Sequence, residues 1–550
     1  MNFDASVYPY GSHREVVYGR RGMVCTSQTL ASQAGLDMLK KGGNAIDAAV
    51  ATAICLTVLE PTSNGLGSDA FALIWMQGKL HGINGSGWSP AGLTRDELLK
   101  RGYDQVPLRG WEPVMVPGAT ATWAEVHRRF GRLPFEDLFE PAIAYARDGY
   151  AVMPNLAAML ADSAKAFVPY KGKKLFQELF DTFFPHGRAP KAGDILKLPD
   201  LAKSLELLRD SHCQALYDGE LADAIDAWSR ETGGLIRKDD LAVYRPQWVD
   251  PIHTSYRGYD VWEMPPNGHG LVVLMALDIA SGFTFSKRDE AEALHRQIEA
   301  MKLAFCDGKQ YIADPCFMKT SVDEWLSPEY ADRRRALIAD EALLPEPIDV
   351  NCGGTVYLCS ADGEGNMVSF IQSNYNGFGS GIVVPGHGIS LSDRGHNFSM
   401  DLASANCVGP RKKSYHTIIP GFLTKNGSPV GPFGVMGAFM QPQGQFQVLL
   451  NTIDYHLNPQ AALDAPRWQW VGGKTIEMER AFPTAVVEEL RRRGHDVVVK
   501  DDIQTYGRGQ IIWRDEQGTR WRRRRLVNFV YFSSPVKCDR MEKTKGGLSR

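Results

Sequence analysis

Apolar positions recur at helical spacing from Ser27 to Lys41, with Leu30, Ala34, Met38 and Leu39 along one side and Gly42-Gly43 as a stop. Asn44 then stands where a helix cap belongs, ahead of an Ala-rich run that extends through Leu59 and ends at Pro61. From Pro134 to about Asp240 the pattern is mostly helical, with leucine-rich turns such as Leu201 to Leu208. The stretch from Leu326 to Ile348 is charged and contains prolines, and it predicts an exposed linker. The period changes at Thr355. A strand is predicted from there, then a turn at Asp362-Gly363-Glu364-Gly365-Asn366, then a return strand Met367 to Gln372. Strands dominate the remainder of the chain, and helical spacing reappears at Pro459 to Leu463 and Thr484 to Arg493. The chain shows no internal repeat.

With 550 residues, 44% of them hydrophobic, the chain has the material for a large core. Its net charge of −3 gives no electrostatic case for nucleic acid or membrane partners. Met1 to Arg14 lack the basic start and apolar run of a signal peptide. The most apolar stretch, Ala45 to Leu59, carries Asp47 and is shorter than the roughly 20 residues of a membrane span. A soluble cytoplasmic protein is therefore expected. Nine cysteines lack metal-type pairing, and Cys352 and Cys359, which flank Thr355, read as small buried residues. No histidine–carboxylate spacing suggests a metal, and neither Asn64-Gly65-Leu66-Gly67 nor Asn267-Gly268-His269-Gly270 has the form of a nucleotide-binding loop. Neither metal nor cofactor is expected.

The chemistry concentrates at Asn351-Cys352-Gly353-Gly354-Thr355-Val356-Tyr357-Leu358. Two glycines tolerate a bent or crowded backbone at a turn-to-strand junction. If the Gly354–Thr355 bond is cut, Thr355 carries a hydroxyl nucleophile and an α-amine whose ordinary pKa is roughly 7.7–8.0. That amine can take the hydroxyl proton. Spacing alone does not separate Thr355 from any β-branched residue that opens a strand.

Resemblance does separate it. Gly354-Thr355-Val356-Tyr357-Leu358, Gly365-Asn366-Met367-Val368-Ser369 and Ser373-Asn374-Tyr375-Asn376-Gly377-Phe378-Gly379-Ser380 are similar to the small-subunit core of the γ-glutamyltransferase family. Ordered matches elsewhere include Gly42 to Ala51, Glu60-Pro61-Thr62, Val116-Pro117-Gly118-Ala119 and Met440-Gln441-Pro442-Gln443-Gly444. The family belongs to the self-processing N-terminal nucleophile hydrolases. The resemblance implies a four-layer αββα sandwich, with an α/β (α+β) fold built by two interleaved subunits cut from one precursor. The large subunit would be 1–354, with its linker near 326–354, and the small one 355–550. Whether such heterodimers associate further is left open. Processing would begin with attack of Thr355 Oγ on the Gly354 carbonyl, then an N-to-O acyl shift and hydrolysis of the ester.

The same resemblance assigns candidate roles and exposes departures. Gly437 and Ala438, in Gly434-Val435-Met436-Gly437-Ala438-Phe439, match the di-glycine oxyanion hole, with alanine in place of the second glycine. Asn374 matches the asparagine that contacts the N-terminal threonine, although it reads equally as an ordinary strand-end residue. His416 and Thr417 stand where paired serines hold the substrate carboxylate, and His416 could equally be structural. Ser86 falls at the position of the arginine that clamps the γ-glutamyl α-carboxylate, and Asn397 at the aspartate that holds the α-ammonium. Both ends of the zwitterion clamp are thus altered. This combination resembles the amidohydrolase branch, which includes oxamate amidohydrolases, and it points to Arg394 as the receiver of a carboxylate or carbonyl on a small acyl group. A surface Arg394 paired with Asp393 or Asp401 is the competing reading. Three functions fit the pattern, in this order: a threonine amidohydrolase acting on a small-molecule amide, a γ-glutamyltransferase or glutathione hydrolase with a rearranged clamp, and an unprocessed non-catalytic homologue. The family's usual ending is replaced by a basic run, Arg520-Trp521-Arg522-Arg523-Arg524-Arg525, and an unrelated-looking tail over 520–550.

Overall fold

A computed structural model describes residues 15–345, 354–501, 504–514 and 526–529. Met1 to Arg14, Glu346 to Ile348, Cys352, Arg520 to Arg525 and the tail beyond 529 lie outside the described residues. Two antiparallel sheets face each other. The six-stranded sheet runs in spatial order Gly22–Thr26, Gly354–Asp362, Met367–Tyr375, Asp69–Met76, Lys79–Gly85, Gln247–Val249. The seven-stranded sheet runs Val17–Gly19, Leu526–Phe529, Gly509–Arg514, Ser428–Val435, Gly421–Lys425, Tyr259–Glu263, Ile252–Tyr256. Chain segments on either side of the Gly354–Thr355 bond contribute strands to both sheets, so they interleave.

Alternation along the strands assigns the layers, because successive side chains point to opposite faces. Tyr357, Cys359 and Ala361 pack between the sheets with Phe71, Leu73, Phe422, Met436 and Ile512. Val356 and Leu358 point the other way, into a core shared with helix Ala45–Leu59 and its neighbours. Helices Gly270–Ala280, Ala291–Tyr311 and Met440–Ile453 cover the outer face of the seven-stranded sheet. The result is four layers, αββα. Strands buried on both faces read as nearly continuous apolar runs. Met367–Tyr375 is buried at every position.

Helix Ala45–Leu59 is also buried along its whole length. Its start is fixed by a capping box: the Asn44 side chain accepts from the Ile46 and Asp47 amides, and Asp47 accepts from Asn44 N at 2.8 Å. Part of the expected linker is ordered. Pro328–Arg335 is a helix, anchored where the Arg334 guanidinium and the Tyr330 hydroxyl donate to buried Asp307. Of its charges, Arg334 belongs to that ion pair, while Glu329, Asp332 and Arg333 stay exposed. The tail, too, contributes structure, since Leu526–Phe529 pairs with Gly509–Arg514 and Val17–Gly19.

Candidate active site

Thr355 emerges one residue into its strand, on the face that looks between the two sheets. Across the hairpin, its Oγ1 donates to Ser373 Oγ at 3.2 Å. Ser373 Oγ in turn donates to the Gly354 carbonyl at 2.7 Å and accepts from Tyr375 N at 2.8 Å. In the uncut chain, one hydroxyl therefore polarises the carbonyl to be attacked and accepts from the attacking group. Gln441 Nε2 reaches Thr355 Oγ1 from the other side at 3.5 Å. Thr355 itself is only 2% exposed. Gly354 lies within the strand, and its glycine requirement is crowding: a Cβ there would stand 3.2 Å from Ser63 Cα and 3.3 Å from the Thr62 carbonyl.

The row continues into the next strand. Ser373 is directly opposite Asp69, and such pairs share a face. Asp69 Oδ2 accepts from His416 Nε2 at 2.9 Å and from Arg394 Nε at 3.3 Å, while Oδ1 accepts from Gly87 N at 2.9 Å. Burial raises the Asp69 pKa, but the His416 hydrogen bond, the Arg394 charge and the Gly87 amide outweigh it and hold the carboxyl below its usual range. Burial and the neighbouring Arg394 push His416 down to about 4, against the pull of Asp69. His416 Nδ1 accepts from Ile418 N, so the imidazole is neutral with its proton on Nε2.

Arg394 is 1% exposed, which excludes the surface pairing. It bonds neither Asp393 nor Asp401. Its Nη1 donates to Thr417 Oγ1 at 2.6 Å, and its guanidinium carbon lies 4.6 Å from the Tyr375 ring centre. Tyr375 holds φ at +79°, a left-handed value that a tyrosine rarely adopts, where the hairpin register shifts. Nη2 of Arg394 is buried with no hydrogen-bond partner among the described residues. A buried guanidinium edge without an acceptor is costly, and a substrate carboxylate or carbonyl would satisfy it.

The remaining candidates fall elsewhere. Asn374 points away from Thr355, as alternation requires: its Oδ1 accepts from Ser68 Oγ and its Nδ2 donates to Ser390 Oγ. Ser86 Oγ donates to Asn84 Oδ1 at 2.7 Å and to Asn267 Oδ1 at 3.3 Å, a closed amide cluster behind Asp69. Asn397 ends a short 3₁₀ turn that begins at Arg394, and its Nδ2 has no partner among the described residues. Ser373, Asp69 and Gln441 were missed. Their signals were slight: a serine across a hairpin, an acid heading an apolar strand, and an amide one turn into a helix.

Gly437 and Ala438 form the turn that enters helix Met440–Ile453, which carries Gln441. Gly437 has φ +130° and Ala438 φ +49°, and neither amide donates a hydrogen bond among the described residues. Two amides without a hydrogen-bond partner among the described residues, Gly437 half-buried and Ala438 buried, stand one helical turn from Thr355's partner and suit an oxyanion. Ala438 pays steric strain for its left-handed φ. Ala438→Gly is expected to raise unfolding stability by about 1 kcal/mol with turnover retained, which denaturant titration and initial rates would check. An unchanged or lowered stability would show that the turn is not strained.

Away from Thr355, His295, Glu299 and His495 gather within 4.8 Å, a grouping that sequence spacing did not suggest. The Lys302 ammonium donates to Glu299 at 2.8 Å, so the cation-facing side of that cluster is already occupied by a side chain. Among the described residues no helix is long and apolar enough to cross a membrane.

His416 gives the site a pH signature. Its folded pKa lies below the ordinary 6.5, so the unfolded chain binds the proton first as pH falls. Stability from this residue is complete above pH 6.5 and is lost down to about pH 4. In an unsplit Thr355→Ala background, the step from pH 7 to 4.5 should cost about 2 kcal/mol more with His416 than with His416→Gln, measured by urea unfolding. Equal losses would contradict a neutral buried imidazole.

An interleaved αββα sandwich, with a threonine at a glycine-flanked strand start and a paired-amide turn beside it, defines a self-processing N-terminal nucleophile hydrolase. The gamma-glutamyltranspeptidase family profile matches residues 31–524, and the chain belongs to that family. It is 35% identical over 517 residues to the glutathione hydrolase-like YwrD proenzyme of Bacillus subtilis (strain 168), covering 91% of this chain and 96% of that protein. Against the oxamate amidohydrolase proenzyme of Klebsiella pneumoniae (strain MGH 78578), identity is 32% over 510 residues, with 90% and 95% covered. The crystal structure of cephalosporin acylase from Bacillus halodurans superimposes with a TM-score of 0.91 at 54% identity, covering 96% of this chain and 97% of that one. The protein is an enzyme acting on amide C–N bonds, made as a proenzyme that is cut into two subunits.

Proposed function

We propose that Thr355, freed by scission after Gly354, hydrolyses a small amide whose acyl group carries a carboxylate or second carbonyl, and that Arg394 anchors that group. In this reading Thr355 Oγ attacks the amide carbon, with its own α-amine accepting the proton. The Gly437 and Ala438 amides bind the oxyanion, and the α-ammonium returns its proton to the nitrogen, so that the C–N bond breaks and a neutral amine leaves. Water, its proton taken by the freed α-amine, then cleaves the ester and releases the acyl group as the acid. Ser373 orients the hydroxyl. The observation that carries the reading is the Nη2 of Arg394, without a partner among the described residues, in a guanidinium buried against Tyr375 (which pairs with Gly354 across the hairpin) and held by Asp69 and Thr417. Ser86, bound to Asn84 and Asn267, supplies no positive charge at the position of the family's arginine. The relatives named oxamate amidohydrolase and cephalosporin acylase agree with an acyl group other than γ-glutamyl. The cut enzyme should be offered glutathione with an acceptor dipeptide and, separately, oxamate and glutaryl amides, which carry a carboxylate but no α-ammonium. At least one of the latter is expected to exceed glutathione in kcat/KM by tenfold or more. Faster release of glutamate or of γ-glutamyl peptide would install the γ-glutamyltransferase reading instead.

A further inference from the structure

We infer that the Glu60–Arg508 ion pair is a positioning device that couples the scission site to the oxyanion turn across the subunit boundary; the inference rests on Thr355 as nucleophile. Glu60 closes helix Ala45–Leu59, and its carboxylate is fully buried. Oε1 accepts from Ser63 Oγ at 3.0 Å and from Arg508 Nη2 at 2.7 Å, while Oε2 accepts from Ser27 and Gln28. Ser63 forms the bed of the cleavage site. Its Cα is the nearest obstacle to a side chain at Gly354, and its carbonyl accepts from Asn374 N at 3.1 Å.

Arg508 acts at the other end. Its carbonyl accepts from Met436 N at 2.9 Å, immediately before Gly437, and a Cβ on Gly437 would stand 3.2 Å from Gly507 Cα. The 506–508 strap thus braces the turn that presents the Gly437 and Ala438 amides. Arg467 holds the same strap by donating to the Tyr506 and Gly507 carbonyls, both at 2.9 Å. One carboxylate before the cut and one guanidinium after it therefore fix the electrophile's bed and the donors that receive its oxyanion. Displacing such donors loses transition-state stabilisation without loss of substrate affinity.

Three variants test this: Arg508→Ala, Glu60→Gln, and Ser27→Ala as a control that removes another Glu60 bond without touching the strap. Scission is monitored by intact mass from fresh precursor, and kcat and KM are measured on the cut enzyme. Arg508→Ala and Glu60→Gln are expected to slow scission and lower kcat by roughly tenfold each, with KM within twofold, whereas Ser27→Ala changes neither by more than twofold. Glu60→Gln preserves shape, so it carries the test if Arg508→Ala does not fold. Wild-type scission and kcat in Glu60→Gln, or losses in Ser27→Ala as large as in the others, would overturn the brace. Scission that persists in Thr355→Ala would instead overturn the nucleophile assignment, so the two failures are distinguishable.

Discussion

Replacing Thr355 by alanine is expected to leave one full-length chain of 60.9 kDa with no measurable amide turnover. Both steps draw on the same oxygen. In the precursor, among the described residues, Thr355 Oγ1 is the hydroxyl that is bonded to the serine donating to the Gly354 carbonyl. In the cut enzyme, no other hydroxyl would share a residue with the proton-accepting amine. Loss of a nucleophile from an acyl-transfer site costs on the order of 10⁶ in kcat. Thr355→Ser, which keeps the hydroxyl and loses the β-methyl, should still cut itself and turn over within about tenfold. Denaturing gels and initial rates on the same samples decide this. A Thr355→Ala protein that splits on schedule would remove the threonine from the mechanism.

The second large effect falls on Arg394. Arg394→Ala removes the anchoring edge and leaves Asp69 buried with only His416 and a backbone amide. Breaking a buried pair from one side costs about 3–5 kcal/mol of stability. Part of that is recovered, because His416 loses the positive neighbour that helps keep it neutral and can then protonate against Asp69. The hydrogen bonds lost to a charged acyl group are worth about 1.5–3 kcal/mol, so KM should rise roughly 10- to 100-fold with kcat nearly unchanged. Arg394→Lys distinguishes anchoring from packing. An ammonium still balances Asp69, so stability should fall by only about 1 kcal/mol, but it cannot present the guanidinium edge, and KM should still rise. A normal KM in both variants would leave Arg394 with a purely structural role.

Local chemistry was legible in the sequence, whereas lateral chemistry was not. The Asn44 cap, the Ala45–Leu59 helix and the hairpin that starts at Thr355 each depend on a few neighbouring residues, and pattern finds them. The site depends on strands far apart in the chain. Asp69 meets Ser373 only because Asp69–Met76 pairs with Met367–Tyr375 in one register, and no spacing announces that. Asn374 was placed against Thr355 by motif, but the alternation of side chains gives that face to Ser373. The order of Pro328–Arg335 was not legible because Asp307, the buried partner of Arg334, lies on a separate helix. Arg394 was picked out by resemblance, but only the fold supplies its burial and its bare Nη2.

The most direct measurement is intact mass of the purified protein combined with N-terminal sequencing of its lighter fragment. Two fragments that meet at Gly354 and Thr355, the lighter one reading Thr-Val-Tyr-Leu, are predicted. An active protein that stays in one piece, or whose lighter fragment opens on any other residue, would contradict Thr355 as the self-released nucleophile.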